Sequence, residues 1–96
     1  MRRGPLPVEF ADVLAGARSG EGWAFASLFD LVSSSLVAYF RGQGAWDPDG
    51  LANETLLRVF RDIARFRGGE SGFRAWVFSV GRCRLIDARR AEAGSA

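Results

Sequence analysis

Apolar residues recur at three- and four-residue steps along most of the chain, the spacing of a buried helical stripe. The clearest run is Phe25, Leu28, Phe29, Val32, Leu36 and Phe40, which predicts a helix from about Gly22 to Phe40. Gly42 and Gly44 supply its stop. Asp47-Pro48 reads as the next helix start, with the carboxylate as N-cap and the proline in the first turn, where its missing N–H is tolerated. From there Leu51, Thr55, Leu56, Val59, Phe60 and Ile63 keep one apolar face to about Arg65. Upstream, Pro7 opens a shorter amphipathic stretch in which Val8, Ala11, Val13 and Leu14 are available for one face, ending near Arg18-Ser19-Gly20. The run Arg67-Gly68-Gly69-Glu70-Ser71-Gly72 breaks the pattern, because three glycines and a serine favour loop conformations. A last helix is expected from Gly72 or Phe73 to Arg90, with Phe73, Trp76, Val77 and Val80 in phase. No stretch shows sustained alternation of apolar and polar positions. The expected fold class is therefore all-α, a compact bundle of three to four helices.

Length sets this at a single domain, since 96 residues do not hold two. The core is expected over about 22–90, with 1–7 and 91–96 as flexible ends. Apolar residues make up 48% and charged residues 25%, close to a soluble globular average. The start is basic but lacks the apolar run of a secretory signal. The apolar region around Ala24 to Phe40 is interrupted by Asp30 and the run Ser33-Ser34-Ser35, so no membrane insertion is expected. The lone Cys83 cannot form an internal disulfide, which excludes a stapled secreted scaffold and points to the reducing cytoplasm. There is no histidine, so a His triad, a His general base and a His-ligated zinc are impossible within this chain. No metal site and no cofactor are expected, and the chain is not expected to be an enzyme. A small nuclease would need a carboxylate constellation, and the clustered Asp47 and Asp49 look like helix-start residues.

All 13 basic residues are arginines, and the net charge of +2 conceals a division. Met1 to Leu57 carries four arginines against seven acids, whereas Arg58 to Arg90 carries nine against three. An acidic front and an arginine-rich back suggest two partners, the second a polyanion; the alternative is a set of solvated helix faces. On the helix that starts at Asp47, Asp49, Asn53, Glu54, Arg58 and Arg61 lie outward or flanking around Leu57. That face suits a partner helix, or is an ordinary amphipathic exterior. Phe66 and Arg67 precede the flexible glycines, and Phe73 and Trp76 follow them. An aromatic beside a glycine-rich loop can stack an unpaired base, and Ser71 or loop amides can read a base edge or hold a phosphate. Phe73 and Trp76 share the stripe of Val77 and Val80 and are expected in the core; Phe66 is the more open case. On the last helix Arg74, Arg82 and Arg89 fall within about 80° of one another, opposite Phe73, Trp76 and Val80, as a row able to follow a nucleic-acid backbone. Arg84 and Asp87 are expected to form an i, i+3 ion pair that orients the helix.

Taken in order, these segments resemble a known family. Asp47-Pro-Asp-Gly-Leu-Ala-Asn-Glu-Thr-Leu-Leu-Arg-Val-Phe-Arg is similar to the D-x-x-D-L-x-Q-E-x-F-x-R-x-[WF]-R pattern of bacterial sigma factors. Arg65-Phe66-Arg67-Gly68, then the run from Phe73-Arg74-Ala75-Trp76 to Ile86-Asp87-Ala88-Arg89-Arg90, resembles F-R-G followed by F-R-A-W-L-F-x-I-A-R-N-x-x-I-D-x-x-R. Ala24-Phe25-Ala26-Ser27-Leu28-Phe29 is similar to the family's first-helix A-F-x-x-L-[YF]. The resemblance covers about Gly22 to Arg90 and belongs to region 2 of the extracytoplasmic-function (ECF) type sigma factors.

The resemblance implies a helical sigma region 2 domain with two surfaces and no covalent chemistry of its own. One would bind the clamp helices of the RNA polymerase β′ subunit through Asp49, Asn53, Glu54, Leu57, Arg58 and Arg61. The other would recognise the −10 promoter element through Phe66, Arg67, Gly68, Ser71, Trp76, Ser79, Arg82, Cys83 and Arg89, taking a flipped base of the non-template strand. An alternative role is a sigma-like interaction module bound mainly by an anti-sigma factor. The chain departs from the pattern at Gly50 and Asn53, which replace an acid and a glutamine, and at Cys83, which stands where an asparagine is common. Its loop looks about one residue longer. The helix-turn-helix domain that reads the −35 element does not follow within these 96 residues, so the chain is expected to be one part of a two-domain factor.

Overall fold

Residues 9–95 are described by a computed structural model. Pro7 and Val8, expected to open the first helix, lie outside the described residues, as do the rest of the expected N-terminal end and Ala96. The described chain forms α1 (Phe10–Arg18), α2 (Gly22–Gly42), α3 (Pro48–Arg61), a single 3-10 turn (Ile63–Arg65) and α4 (Glu70–Ser95). The protein is all-α, as the periodicity predicts.

Helix α2 buries Ala24, Leu28, Val32, Leu36 and Phe40, all at or below 1% exposure. A step of four residues overshoots one turn by about 40°, so this stripe winds around the helix as it advances. Its start faces α1, where Ala24 lies against Gly16, and its end faces α4, where Leu36 and Phe40 lie against Gly81. One helix thus forms the central post of the bundle. By length and composition α2 is also apolar enough to cross a membrane; its fully buried stripe is the pattern of a core helix. The winding also explains one difference from the expected face. Phe29 is 40% exposed and Ala24 takes the buried place. Phe25 is half-buried, edge-on to Phe60 of α3 at a centroid distance of 5.0 Å.

Helices α1 and α2 end alike. Beyond α2, Gly44 adopts φ 72°, its N–H donates to the Arg41 carbonyl and the Ala45 N–H donates to the Phe40 carbonyl, each at 3.0 Å. This paired C-terminal cap needs a left-handed residue, which glycine supplies without strain. Gly20 does the same after α1. On α1, Val13, Leu14, Gly16 and Ala17 are buried, while the expected Ala11 is exposed.

At the start of α3 the Asp47 carboxylate accepts the Gly50 N–H at 3.0 Å, and Pro48 occupies the first turn. Leu51, Ala52, Thr55, Leu56 and Val59 are buried, and Ile63 continues the face into the 3-10 turn. A Cβ added at Gly50 would lie 2.1 Å from the second oxygen of the capping carboxylate. Gly50→Ala should therefore displace the cap and destabilise the domain by about 1 kcal/mol, despite alanine's better helix propensity. Urea denaturation of the two proteins checks this; equal midpoints would mean the cap re-forms elsewhere.

The loop before α4 is shorter than expected. The helix starts at Glu70, where the sequence pattern places a loop to Gly72, and it runs on through Glu92 to Ser95. Glu70 is an acid in a first turn, favoured by the helix dipole, and accepts from Arg74 at 3.3 Å one turn later. The buried face of α4 is Phe73, Val77, Gly81 and Leu85. Trp76 and Val80 sit at its edge, half-buried.

Candidate polymerase and nucleic-acid interface

The outward face of α3 gathers five of the six residues expected to meet a protein partner. Asn53, Glu54, Leu57, Arg58 and Arg61 are all exposed, and at 100° per residue they fill one side of the helix. Leu57 stands in the middle at 65% exposure. It is an exposed apolar side chain ringed by charged and amide groups. Asp49 is exposed at the margin, bordering a shallow depression shared with Asn53, Phe29 and Arg41 between α2 and α3. Arg58 also accepts a structural role: its Nε donates to the Asp62 carboxylate at 3.3 Å.

Beyond that ion pair lies the loop. Phe66 stacks on Trp76 with ring planes 9° apart and centroids at 5.2 Å, and meets Phe73 edge-on at 5.7 Å. Phe73 is completely buried. The three rings form one cluster, extended by Phe10 of α1 against Phe73 at 5.5 Å. The Phe66 ring is half-buried, with one face against the indole. Gly68 turns the chain with φ 142°, and a Cβ there would stand 3.1 Å from the Phe66 ring. Gly68→Ala should strain the backbone and press on that ring, costing about 1–2 kcal/mol. Urea denaturation again checks this, and an unchanged midpoint would show a loop free to refold around the methyl group.

Trp76 borders two adjoining depressions. One, of about 320 Å³, is walled by Arg65, Phe66, Arg67 and Asp62. The other, of about 340 Å³, holds Ser79, Cys83, Arg58, Arg84 and again Asp62. Of the residues expected at the DNA surface, Phe66, Arg67, Trp76, Ser79 and Cys83 are thus brought together. Gly68 is beside them in the loop, and Ser71 lies exposed in the first turn of α4. The expected pair of Arg84 and Asp87 is present at 2.8 Å. The Asp87 hydrogen bond, only partly opposed by desolvation and aided by the charges of Asp87 and Glu54, holds the Arg84 guanidinium above its ordinary range. It stays charged.

The expected row of Arg74, Arg82 and Arg89 is not formed. Arg74 is half-buried and paired with Glu70. Arg89 Nη2 donates to the Gln43 carbonyl at 2.7 Å, tying the far end of α4 to the end of α2. The physical reason is rotational: the buried face centres on Val77 and Gly81 instead of Trp76 and Val80, which swings Arg74 toward the core. The outward face carries Ser79, Arg82, Cys83, Ile86 and Arg90, all exposed. Among the described residues Arg82 and Arg90 make no side-chain hydrogen bond or ion pair. Arg90 was not among the expected site residues, although its spacing of seven from Cys83 places it there.

Asp62 and Arg18 were also missed by the sequence reading. Asp62 had a local signal, four residues after Arg58. Arg18 of α1 had none: its guanidinium donates to the Phe66 carbonyl, 48 residues away. Among the described residues no group of three His, Cys, Asp or Glu converges as metal ligands.

The family model of Sigma-70 region 2 matches residues 26–94. The chain belongs to the sigma-70 region 2 family. No curated protein and no solved structure matches it. A sigma-70 region 2 domain serves transcription initiation by association with RNA polymerase and promoter DNA, and is a non-enzymatic transcription-regulator domain. The sigma-70 region 2 match begins inside α2, so α1 lies upstream of it.

Proposed function

We propose that this domain is region 2 of an ECF-type sigma factor, working in the cytoplasm. It seats the β′ clamp helices on α3 and receives the −10 element at the loop and α4. The observation that carries the reading is the contiguity of its two surfaces. The ion pair of Arg58 and Asp62 stands between the exposed α3 face and the two depressions around Trp76. A factor that holds a DNA strand on polymerase needs two surfaces that adjoin, and Arg58 lies on their shared border.

The strand-opening role follows from chemistry at Trp76. A base leaving the duplex loses a few kcal/mol of stacking and pairing. A contact with an aromatic side chain returns about 1–3 kcal/mol per base. Ser79 and Cys83 offer a hydroxyl and a thiol at the rim, and Arg58 and Arg84 are charged donors in the same depression. Capture of the extruded non-template base thereby favours the open strand. Cys83 is a weaker hydrogen-bonding group than an asparagine amide, so base preference at that contact differs from the common pattern.

The test is fluorescence anisotropy with single-stranded −10 oligonucleotides, run beside a pull-down with the β′ clamp-helix fragment. Binding in both is expected. Absence of binding in both at low salt overturns the reading.

A second reading, an interaction module held mainly by an anti-sigma factor, is favoured by the exposure of Trp46 at 88% and Leu57 at 65%. Arg82→Ala separates the two. DNA binding should weaken and its salt slope shrink by about one phosphate's share. An apolar protein contact should change little.

A further inference from the structure

Two guanidiniums meet at one carbonyl oxygen. Arg67 Nη1 donates to the carbonyls of Ala64 and Phe66, 3.0 Å each, and Arg18 Nη2 donates to the same Phe66 carbonyl. The two positive groups are thereby held side by side at the mouth of the loop. Like charges at that separation repel, and among the described residues neither forms an ion pair with a carboxylate. Asp62, the acid that borders the same depression as Arg67, is engaged by Arg58. A guanidinium has five donors, and the carbonyl bonds occupy one nitrogen of each. Nε and the second terminal nitrogen of both arginines remain for a ligand. Arg65, also without an ion pair among the described residues, borders the same depression as Arg67.

We infer that Arg18 and Arg67 form a seat for a phosphodiester of single-stranded nucleic acid, placed at the entrance of the depression beside Trp76. The two non-bridging oxygens of a tetrahedral phosphodiester accept from the planar donor forks of arginine, and its charge relieves the repulsion between the two guanidiniums. Their shared carbonyl fixes the register: the Phe66 ring walls the depression, and the Phe66 carbonyl aims the two cations. A phosphate held there delivers the adjoining nucleotide to Trp76. Helix α1 thereby becomes part of the nucleic-acid surface, although it lies upstream of residues 26–94 that match the family model. The seat deepens the proposed −10 function and rests on it for the identity of the strand.

The experiment compares the protein with Arg18→Gln, Arg18→Lys and Arg67→Gln, using a −10 oligonucleotide, a scrambled one of equal length, and inorganic phosphate alone. Glutamine keeps a hydrogen bond to the carbonyl within reach and removes the charge, whereas lysine keeps the charge and removes the fork. Arg18→Gln should weaken both oligonucleotides by the same factor, about tenfold, and lower the salt slope by about 0.7. Arg18→Lys should keep the slope. Thermal melting confirms that the variants fold. A loss of affinity with an unchanged slope would make Arg18 a prop for the loop and overturn the seat. Inorganic phosphate binding as tightly as the oligonucleotides would also overturn it, in favour of a small-anion site. If the slope falls as expected while the protein does not distinguish the −10 from the scrambled strand, the seat stands and the −10 reading falls. If the −10 strand is preferred and the slope does not move, the reverse holds.

Discussion

Phe73→Ala should destabilise the domain by about 3–5 kcal/mol, the range for emptying a buried aromatic site. Phe73 has no exposed surface, and its ring touches Phe10, Phe66 and Trp76 at centroid distances of 5.5, 5.7 and 6.1 Å. It is the one ring common to helix α1, the loop and α4. Removing it leaves Phe66 and Trp76 without the edge that orients them, so the loss should reach nucleic-acid binding as well as stability. Leu28→Ala is the comparator, because Leu28 is 1% exposed but lies on α2, which contributes none of these four rings. Its expected cost is about 2–5 kcal/mol. Both variants are measured by urea denaturation, then by single-strand binding under conditions where each is folded. Phe73→Ala should bind markedly more weakly than Leu28→Ala at matched folded fraction. Equal binding would mean that the cluster is core alone and that the Trp76 surface does not depend on it.

The architecture was legible because its signals are local. The Asp47-Pro48 start needs only a carboxylate and a fixed φ, and the Gly44 stop needs only a residue able to turn left-handed. The pair of Arg84 and Asp87 needs only three residues of helix. The α3 face was legible for the same reason, since a helix places Asn53, Glu54, Leu57, Arg58 and Arg61 together whatever surrounds it. What the pattern misplaced depends on rotation and on distant partners. A helical wheel fixes the angles between side chains but not which angle points at the core. With α4, taking Trp76 and Val80 as the centre of the buried face misdirected Arg74, whereas the structure buries Val77 and Gly81. Gly81 itself explains the error. It adds nothing to an apolar count, yet a Cβ there would stand 3.2 Å from Phe40 and 3.3 Å from Leu36, so side chains of the central helix pack directly onto its backbone. Arg89 and Arg18 are tied to carbonyls 46 and 48 residues away, contacts that no spacing rule contains. Glu70, Ser71 and Gly72 read as loop residues, yet the first turn of α4 forms there. Phe66 lies against that turn, its ring tip 3.8 Å from the place of a Cβ on Gly72.

Leu57→Glu should reduce binding to the polymerase clamp helices by at least tenfold while leaving the fold intact. Full burial of a leucine side chain is worth about 1.5–3 kcal/mol, and at 65% exposure most of that remains to be gained in a complex. A glutamate there loses this contribution and adds a charge that must shed its water on docking, which raises the penalty further. Tenfold corresponds to about 1.4 kcal/mol, within the ~1–2 kcal/mol of apolar contribution that remains to be gained at this exposure. Stability should change by no more than about 0.5 kcal/mol, because the position is solvent-exposed in a helix that accepts glutamate readily. The neighbouring charges sharpen the test. Glu54 and Arg58 stand one turn before and one residue after, so Arg58→Ala should weaken binding chiefly in low salt, whereas the Leu57 effect should persist as salt is raised. Single-strand DNA binding should survive Leu57→Glu, since Leu57 borders neither depression beside Trp76. A variant that keeps its clamp affinity would remove the α3 face as the polymerase seat. One that loses clamp and DNA binding together, while still folded, would mean that the two surfaces on either side of the Arg58 and Asp62 pair act as one.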